Sequence, residues 1–234
     1  MSPASFMVKY RRLNLYQSYV LVKHSLLVLT KNKHSYTILP TIQSKKMRWK
    51  TLKSKTIIKN RFFNLLEESY KKTDGKIINK FYTVKRKDVA VIAAFTKNKK
   101  IVLISQYRPS VKISDLELPA GYMEKGEKNI KQTAERELLE ETGYKTKKLI
   151  KIGEAFVSAG FMNNKVHFFI GFDAEKISEQ KLDSSEEIEV KITSWKKALN
   201  LVKKGKIKDL GSVTGMMLAE RYLKKVFPGK NWTF

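Results

Sequence analysis

The stretch Gly121–Tyr144, GYMEKGEKNIKQTAERELLEETGY, constrains the fold more than any other part of the chain. Ile130, Ala134 and Leu138 recur every fourth residue, the spacing of one face of an α-helix. The pattern predicts a helix over Gly126–Glu141, with Gly143 as its stop. Glu137, Glu140 and Glu141 stand at i, i+3 and i+4, so they share another face of that helix. Crowded carboxylates repel one another, and a divalent cation reverses the sign of that interaction. Hard carboxylate oxygens suit Mg²⁺, with Mn²⁺ as the alternative. Because Mg²⁺ keeps waters and takes phosphate oxygens, the cluster is expected to lie open to solvent, opposite the apolar stripe. The plain alternative for Glu-x-x-Glu-Glu alone is a solvated acidic face. Its setting argues for more: Arg136 is placed to tie the helix to Glu127, and Gly121 and Gly126 bracket a tight loop.

Upstream, Lys53–Asn60, Phe62–Tyr70 and Ile77–Val84 alternate apolar and polar residues, with a turn signal at Thr73-Asp74-Gly75, and predict a hairpin. Val89–Phe95 and Ile101–Gln106 form a second hairpin around Lys97–Lys100. Their near-continuous Val, Ile and Ala mark central, buried strands. Downstream, Leu149–Ala155 and Val166–Phe172 read as strands, Ser194 caps a helix through Lys204, and Ser212–Val226 is a final amphipathic helix. Strands, helix, strands and helices in that order describe a mixed sheet between helices, of class α/β.

The chain has no cysteine, which excludes disulfides, thiolate metal sites and a cysteine nucleophile and fits a reducing compartment such as the cytoplasm. Its formal net charge is +26, yet only eight of the 48 basic residues are Arg. Lysine decorates any surface, whereas bidentate phosphate recognition favours arginine, so nucleic-acid binding is the less favoured reading. Acids are scarce but crowd at Glu117–Glu141 and Asp183–Glu189. Residues 1–46 hold eight Lys or Arg and no acid. Their apolar run is broken by Lys23 and His24, so it makes neither a membrane span nor a secretory signal. An organelle presequence and a mistaken start, with translation beginning at Met47, are the readings for this leader; the second is preferred.

The Gly121–Tyr144 stretch resembles the Nudix box, Gly-x5-Glu-x7-Arg-Glu-U-x-Glu-Glu-x-Gly-U, where U is a bulky apolar residue. Gly121, Glu127, Arg136, Glu137, Leu138, Glu140, Glu141, Gly143 and Tyr144 match it. The chain departs in one respect, with eight residues between Glu127 and Arg136. The extra one is expected in the loop at Lys128 or Asn129. Leu-Glu-Leu-Pro-Ala-Gly (116–121) and Gln-Tyr-Arg-Pro (106–109) resemble the ADP-ribose pyrophosphatase branch of the Nudix hydrolases, a likeness covering about residues 48–225. It implies a Nudix-type α/β/α sandwich preceded by a small N-terminal β segment. The expected division is a leader at 1–46, a dimer-building β segment at 47–88, a hydrolase domain at 89–228 and a tail at 229–234.

The resemblance also implies roles. The backbone carbonyl of Ala120, with Glu137, Glu140 and Glu141, would hold the metal, while Gly121, Glu127, Arg136 and Gly143 shape the motif. A general base is expected downstream in the mobile loop Asp183-Ser-Ser-Glu186-Glu187, with Glu186 preferred over Glu187. Arg108 is assigned to a substrate phosphate, and Glu117 to the nucleoside or a neighbouring chain. Ser158-Ala159-Gly160 resembles a Ser-Pro-Gly turn of the same branch, but Asn163 and Asn164 stand where that pattern continues to a Glu. Tyr107, Phe156 and Phe161 read as core aromatics rather than base-stacking ones. His24, His34 and His167 are too scattered for a metal site. The expected activity is Mg²⁺-dependent cleavage of the pyrophosphate of a nucleoside diphosphate derivative, ADP-ribose being the first candidate. Another nucleotide sugar, a dinucleotide or an RNA cap is the enzymatic alternative. A Nudix-fold RNA-binding or regulatory module is the non-enzymatic one.

Overall fold

Alternation along β7 (Val89–Thr96) sets the layers: Ala90, Ile92 and Ala94 turn to one face, Val91, Ala93 and Phe95 to the other, and all six are buried. A strand apolar on both faces belongs at the centre of a sheet covered on both sides. β8 (Lys100–Arg108) pairs with it antiparallel and β13 (Lys165–Lys176) pairs with it parallel. β11 (Tyr144–Lys145) and β14 (Ile188–Ser194) extend the order to β11-β13-β7-β8-β14. β9 (Ile113–Glu117) joins β8, β10 (Ala120–Tyr122) joins β7, and β12 (Lys148–Phe156) joins β13.

α1 (Ile130–Thr142) covers the Ala90–Ile92–Ala94 face, where its Ala134 and Leu138 pack with Val102 and Phe169. Truncating a leucine so buried costs about 2–5 kcal/mol, which measures how firmly the helix is held. α2 (Trp195–Lys203) and α3 (Leu210–Val226) cover the opposite face with Trp195, Met216 and Leu223. There the Phe95 and Trp195 rings meet edge to face at 5.1 Å. These layers form an α/β/α sandwich around a mixed sheet.

α1 starts at Ile130, later than the expected Gly126, because the Asn129 side chain accepts from the N–H groups of Lys131 (3.1 Å) and Gln132 (3.2 Å). That cap confines residues 124–129 to a loop, which absorbs the extra residue of the motif. β4 (Lys50–Lys59), β5 (Asn64–Lys71) and β6 (Ile77–Lys85) form a separate three-stranded sheet in that order. The buried Glu68 carboxylate accepts there from the Ser54 and Thr83 hydroxyls. Contacts divide the chain into two units, residues 1–51 with 70–78 and residues 52–69 with 79–234, and the sandwich lies in the second.

This computed structural model describes residues 48–229 and, of the expected leader, the backbone of 17–22, 25–32 and 35–39. Those backbone segments, β1 (Gln17–Val22), β2 (Ser25–Asn32) and β3 (Ser35–Leu39), pair antiparallel in that order. The rest of the leader, His24, His34 and residues 230–234 of the tail lie outside the described residues. Among the described residues no helix is long and apolar enough to cross a membrane.

Candidate active site

The site is built where α1 crosses β10. Gly121 sits opposite Ala90 of β7, and a Cβ at Gly121 would come within 2.0 Å of the Glu137 Cδ. Glycine therefore lets the Glu137 carboxylate lie directly against the backbone. One residue earlier, the Ala120 N–H donates to Glu141 Oε2 at 2.9 Å. These contacts correct the expectation of a solvent-open cluster, since Glu137 is 9% exposed and Glu141 only 3%. The i, i+4 pair lies on the flank of α1 that β10 covers, and Glu140 is rotated outward with its side chain 36% exposed.

Arg136 gathers the remaining charges. Its guanidinium reaches Glu127 Oε1 at 3.0 Å, Glu137 Oε1 at 2.8 Å and Glu140 Oε2 at 2.8 Å, and donates to the Tyr122 carbonyl. The Glu127–Arg136 pairing thus forms despite the longer spacing. Glu127 also accepts from the Glu124 N–H and the Thr133 hydroxyl. Burial works against its charge, but these bonds and Arg136 outweigh it and hold the carboxyl below its usual range. Gly143 ends the helix in the left-handed region at φ 73°, and a side chain there would strike the Ser178 carbonyl at 2.1 Å.

Burial pushes the Glu137 carboxyl up to about 7, opposed by Arg136 and reinforced by the charges of Glu140 and Glu186. Glu141 is raised well above the usual range, first by burial, against the Ala120 N–H, with Glu137 and Glu186 adding to it. Glu186 is half-buried and its charge reaches both helix carboxylates, whereas Glu187 is exposed. Glu186 Oε2 accepts the Asp183 N–H at 3.0 Å, so the side chain is folded onto its own turn.

Arg108 and Glu117, assigned separately from sequence, are joined to each other. The guanidinium forks onto the carboxylate through Nε at 2.7 Å and through Nη2. Glu117 is 3% exposed, and its hydrogen bond, helped by its charge, raises the Arg108 pKa against the effect of burial. The pair borders an open cavity of about 560 Å³ that Asp115, Lys208 and Asp209 also line. The field of Glu141 reaches Arg108 as well. Ser158-Ala159-Gly160 does form a turn, closed by the Phe161 and Met162 N–H groups on the Ser158 carbonyl. Asn163 Oδ1 accepts the Arg86 N–H, and Asn164 is buried, donating to the Lys87 carbonyl. The core reading of Tyr107, Phe156 and Phe161 is corrected: they are 51%, 56% and 48% exposed. Strand periodicity does not tell a central strand from a rim, and Phe156 ends β12 while Phe161 lies in the turn beyond it. His167 is buried with Nε2 2.8 Å from Asp88 Oδ2.

Among the described residues no three acidic or imidazole side chains converge as a ready-made metal cage. Glu137 and Glu140 are turned onto Arg136 instead. The donor set nonetheless fits a hard divalent ion. Two neighbouring carboxylates are buried at a cost that proton uptake or a cation must offset, and their oxygens are of the type Mg²⁺ selects. An open Mg²⁺ site draws its other ligands from water and substrate phosphate, which matches an incomplete set of protein ligands better than a closed cage would.

Known proteins agree with this architecture. The NUDIX domain family model matches residues 84–213, and the chain belongs to the Nudix hydrolase family. It is 36% identical to an ADP-ribose pyrophosphatase of Bacillus subtilis (strain 168) over 68% of this chain and 89% of that one. It is 30% identical to a GDP-mannose pyrophosphatase of Salmonella typhimurium over 68% of this chain and 88% of that one. A methanol dehydrogenase activator of Bacillus methanolicus is also 30% identical, over 75% of this chain and 92% of that one. A solved structure described as an ADP compounds hydrolase superposes with a TM-score of 0.66, covering 77% of this chain and 96% of its own. At 17% identity that likeness shows the shared fold.

The raised Glu137 pKa fixes a pH dependence. A carboxyl that titrates near 7 when folded and near 4.5 when unfolded binds more protons in the folded state between those values. Its contribution is therefore fully present below the unfolded value and lost as pH rises through about 7. Thermal unfolding of the metal-free protein should show the melting temperature falling from pH 5 to pH 8. Glu137→Gln should flatten part of that slope, and an unchanged slope would contradict the assignment.

Proposed function

We propose that this hydrolase cleaves the pyrophosphate bond of a nucleoside diphosphate sugar with Mg²⁺, ADP-ribose to AMP and ribose 5-phosphate being the first candidate. The observation that carries the reading is the pair of buried carboxylates, Glu137 and Glu141, held against Gly121 and Ala120. The names of the two pyrophosphatase relatives support a nucleotide-sugar substrate. Glu137, Glu140, Glu141 and the Ala120 carbonyl would hold the ion, with Mn²⁺ as a substitute. When bound, it supplies Lewis acidity to the bridged phosphates and lowers the pKa of the attacking water.

The chain's own groups do the rest. Glu186 takes the proton from water, since its charge already reaches the two helix carboxylates while Glu187 faces solvent. Arg108 meets a phosphate oxygen, and the buried Glu117 fixes the plane of its guanidinium. The cavity beside this pair is roomy enough for part of a nucleotide sugar. Arg136 holds Glu127 and the loop after β10 in place, so the metal-facing helix keeps its position. The lack of cysteine supports a cytoplasmic setting.

Formation of the nucleoside monophosphate from ADP-ribose, GDP-mannose and a dinucleotide, with Mg²⁺ and with chelator, tests the reaction and ranks the substrates. Glu141→Gln should lower kcat by more than the roughly 100-fold typical of losing an outer-shell partner, with the fold intact by circular dichroism. Wild-type turnover in that variant would overturn the reading.

The same proposal includes a homodimer formed through the β segment at 47–88, ahead of the hydrolase domain at 89–228. Leu52, Ile57, Ile58 and Phe62 leave large apolar side chains in water, as an interface does before it is covered. Sedimentation equilibrium should give a dimer for the wild type and a monomer for Ile57→Glu combined with Ile58→Glu. A monomeric wild type would remove this part of the proposal.

A further inference from the structure

The structure assigns Gln180 as the positioning residue of the loop that carries Glu186, an inference that rests on the functional reading above. Residues 177–187 form neither helix nor strand, and they join the end of β13 to the start of β14. Helix α1 ends with carbonyls that no intrahelical N–H can reach, and this loop supplies their partners. The Ile177 and Ser178 N–H groups donate to the Gly143 carbonyl, and the Lys181 N–H donates to the Glu140 carbonyl at 2.8 Å. The Glu141 carbonyl is served by a side chain: Gln180 Nε2 donates to it at 2.6 Å. The same nitrogen donates to the Ile188 carbonyl, across the loop, at 3.1 Å.

One amide thus ties together the backbone of a proposed metal ligand and both ends of the segment bearing the proposed base. Around Gln180 side-chain burial gives the loop little hold, because Ser178, Glu179 and Lys181 are exposed and Ile177 is 57% exposed, and the next half-buried side chain is Leu182. Gln180 alone among residues 176–181 is turned inward. The anchored points are 177–182 and 188, which leaves 183–187 to move as one piece with Glu186 on it. Gln180 therefore sets where that piece swings from, and where Glu186 stands relative to Glu137 and Glu141. Its amide is engaged with backbone carbonyls, so it acts through Glu186.

A double-mutant cycle in the full chain tests this, using ADP-ribose or whichever nucleotide sugar of the panel is cleaved fastest. Gln180→Met keeps the length and removes both donors. It should lower kcat by up to about 100-fold, the scale of a 1 Å misplacement, with KM changed little. In a Glu186→Gln background the same substitution should cost nothing further, because the group being positioned is gone. Gln180→Lys restores donors to the helix carbonyls and should recover most of kcat, while Gln180→Glu, which faces carbonyls with a carboxylate, should not. Equal losses from Gln180→Met with and without Glu186, or no loss at all, would overturn the inference while leaving hydrolysis assigned. A silent Glu186→Gln would remove both the base and its anchor. No turnover of any panel member would sink the functional reading and take this inference with it.

Discussion

Two carboxylates buried side by side on one helix are costly, and the arrangement of the site follows from how the chain tolerates them. Glu137 lies in the space that a side chain at Gly121 would fill, and Glu141 accepts the N–H of Ala120. Leu138 and Ala134 hold the helix to the sheet from its other side. Core packing thus fixes the helix at a distance from β10 that forces the acids inward. A buried carboxyl with too few partners favours its neutral form, and both are raised accordingly. A cation is the other solution to the same imbalance, and the raised pKa values express that demand for positive charge.

Arg136 divides the helix face by function. It neutralises Glu127 and reaches Glu137 and Glu140, whereas Glu141 is held by the Ala120 N–H. Its second task is mechanical, since its bond to the Tyr122 carbonyl links the helix to the strand that carries Ala120 and Gly121. At the opposite end of the helix, the loop after β13 supplies the missing partners of the last carbonyls. The residues that terminate the helix therefore also anchor the loop that carries Glu186.

Much of this was legible in the sequence where a pattern repeats. Near-continuous apolar runs found β7 and β8, four-residue spacing found the buried face of α1, and the Nudix-like spacing brought Glu127, Arg136 and the helix glutamates together. What the pattern does not carry is the third dimension. Helical spacing says that Glu137 and Glu141 share a face, but which face β10 covers depends on a contact 16 residues away in sequence, between Gly121 and Glu137. β9 and β10 escaped notice because they are short and interrupted by Pro119, and β14 because Glu189 and Lys191 make its outward face read as loop. The Arg108–Glu117 fork was hidden because each residue was read alone, and in the β8–β9 pairing they stand opposite Ile113 and Ile104, so strand register does not announce it. Gln180 carried no sequence signal; only the two carbonyls it meets reveal it.

The central claim is that the Glu137–Glu141 pair is a cation site, and direct metal binding tests it most cleanly. Mn²⁺ titrated into the purified chain and followed by electron paramagnetic resonance reports the free ion, without reliance on turnover. The account predicts saturable binding by the wild type, strengthened by a nucleoside diphosphate. It predicts loss of that binding in the folded Glu137→Gln/Glu141→Gln double variant. Equal Mn²⁺ binding by both proteins, or none by the wild type even with the nucleotide present, would contradict it.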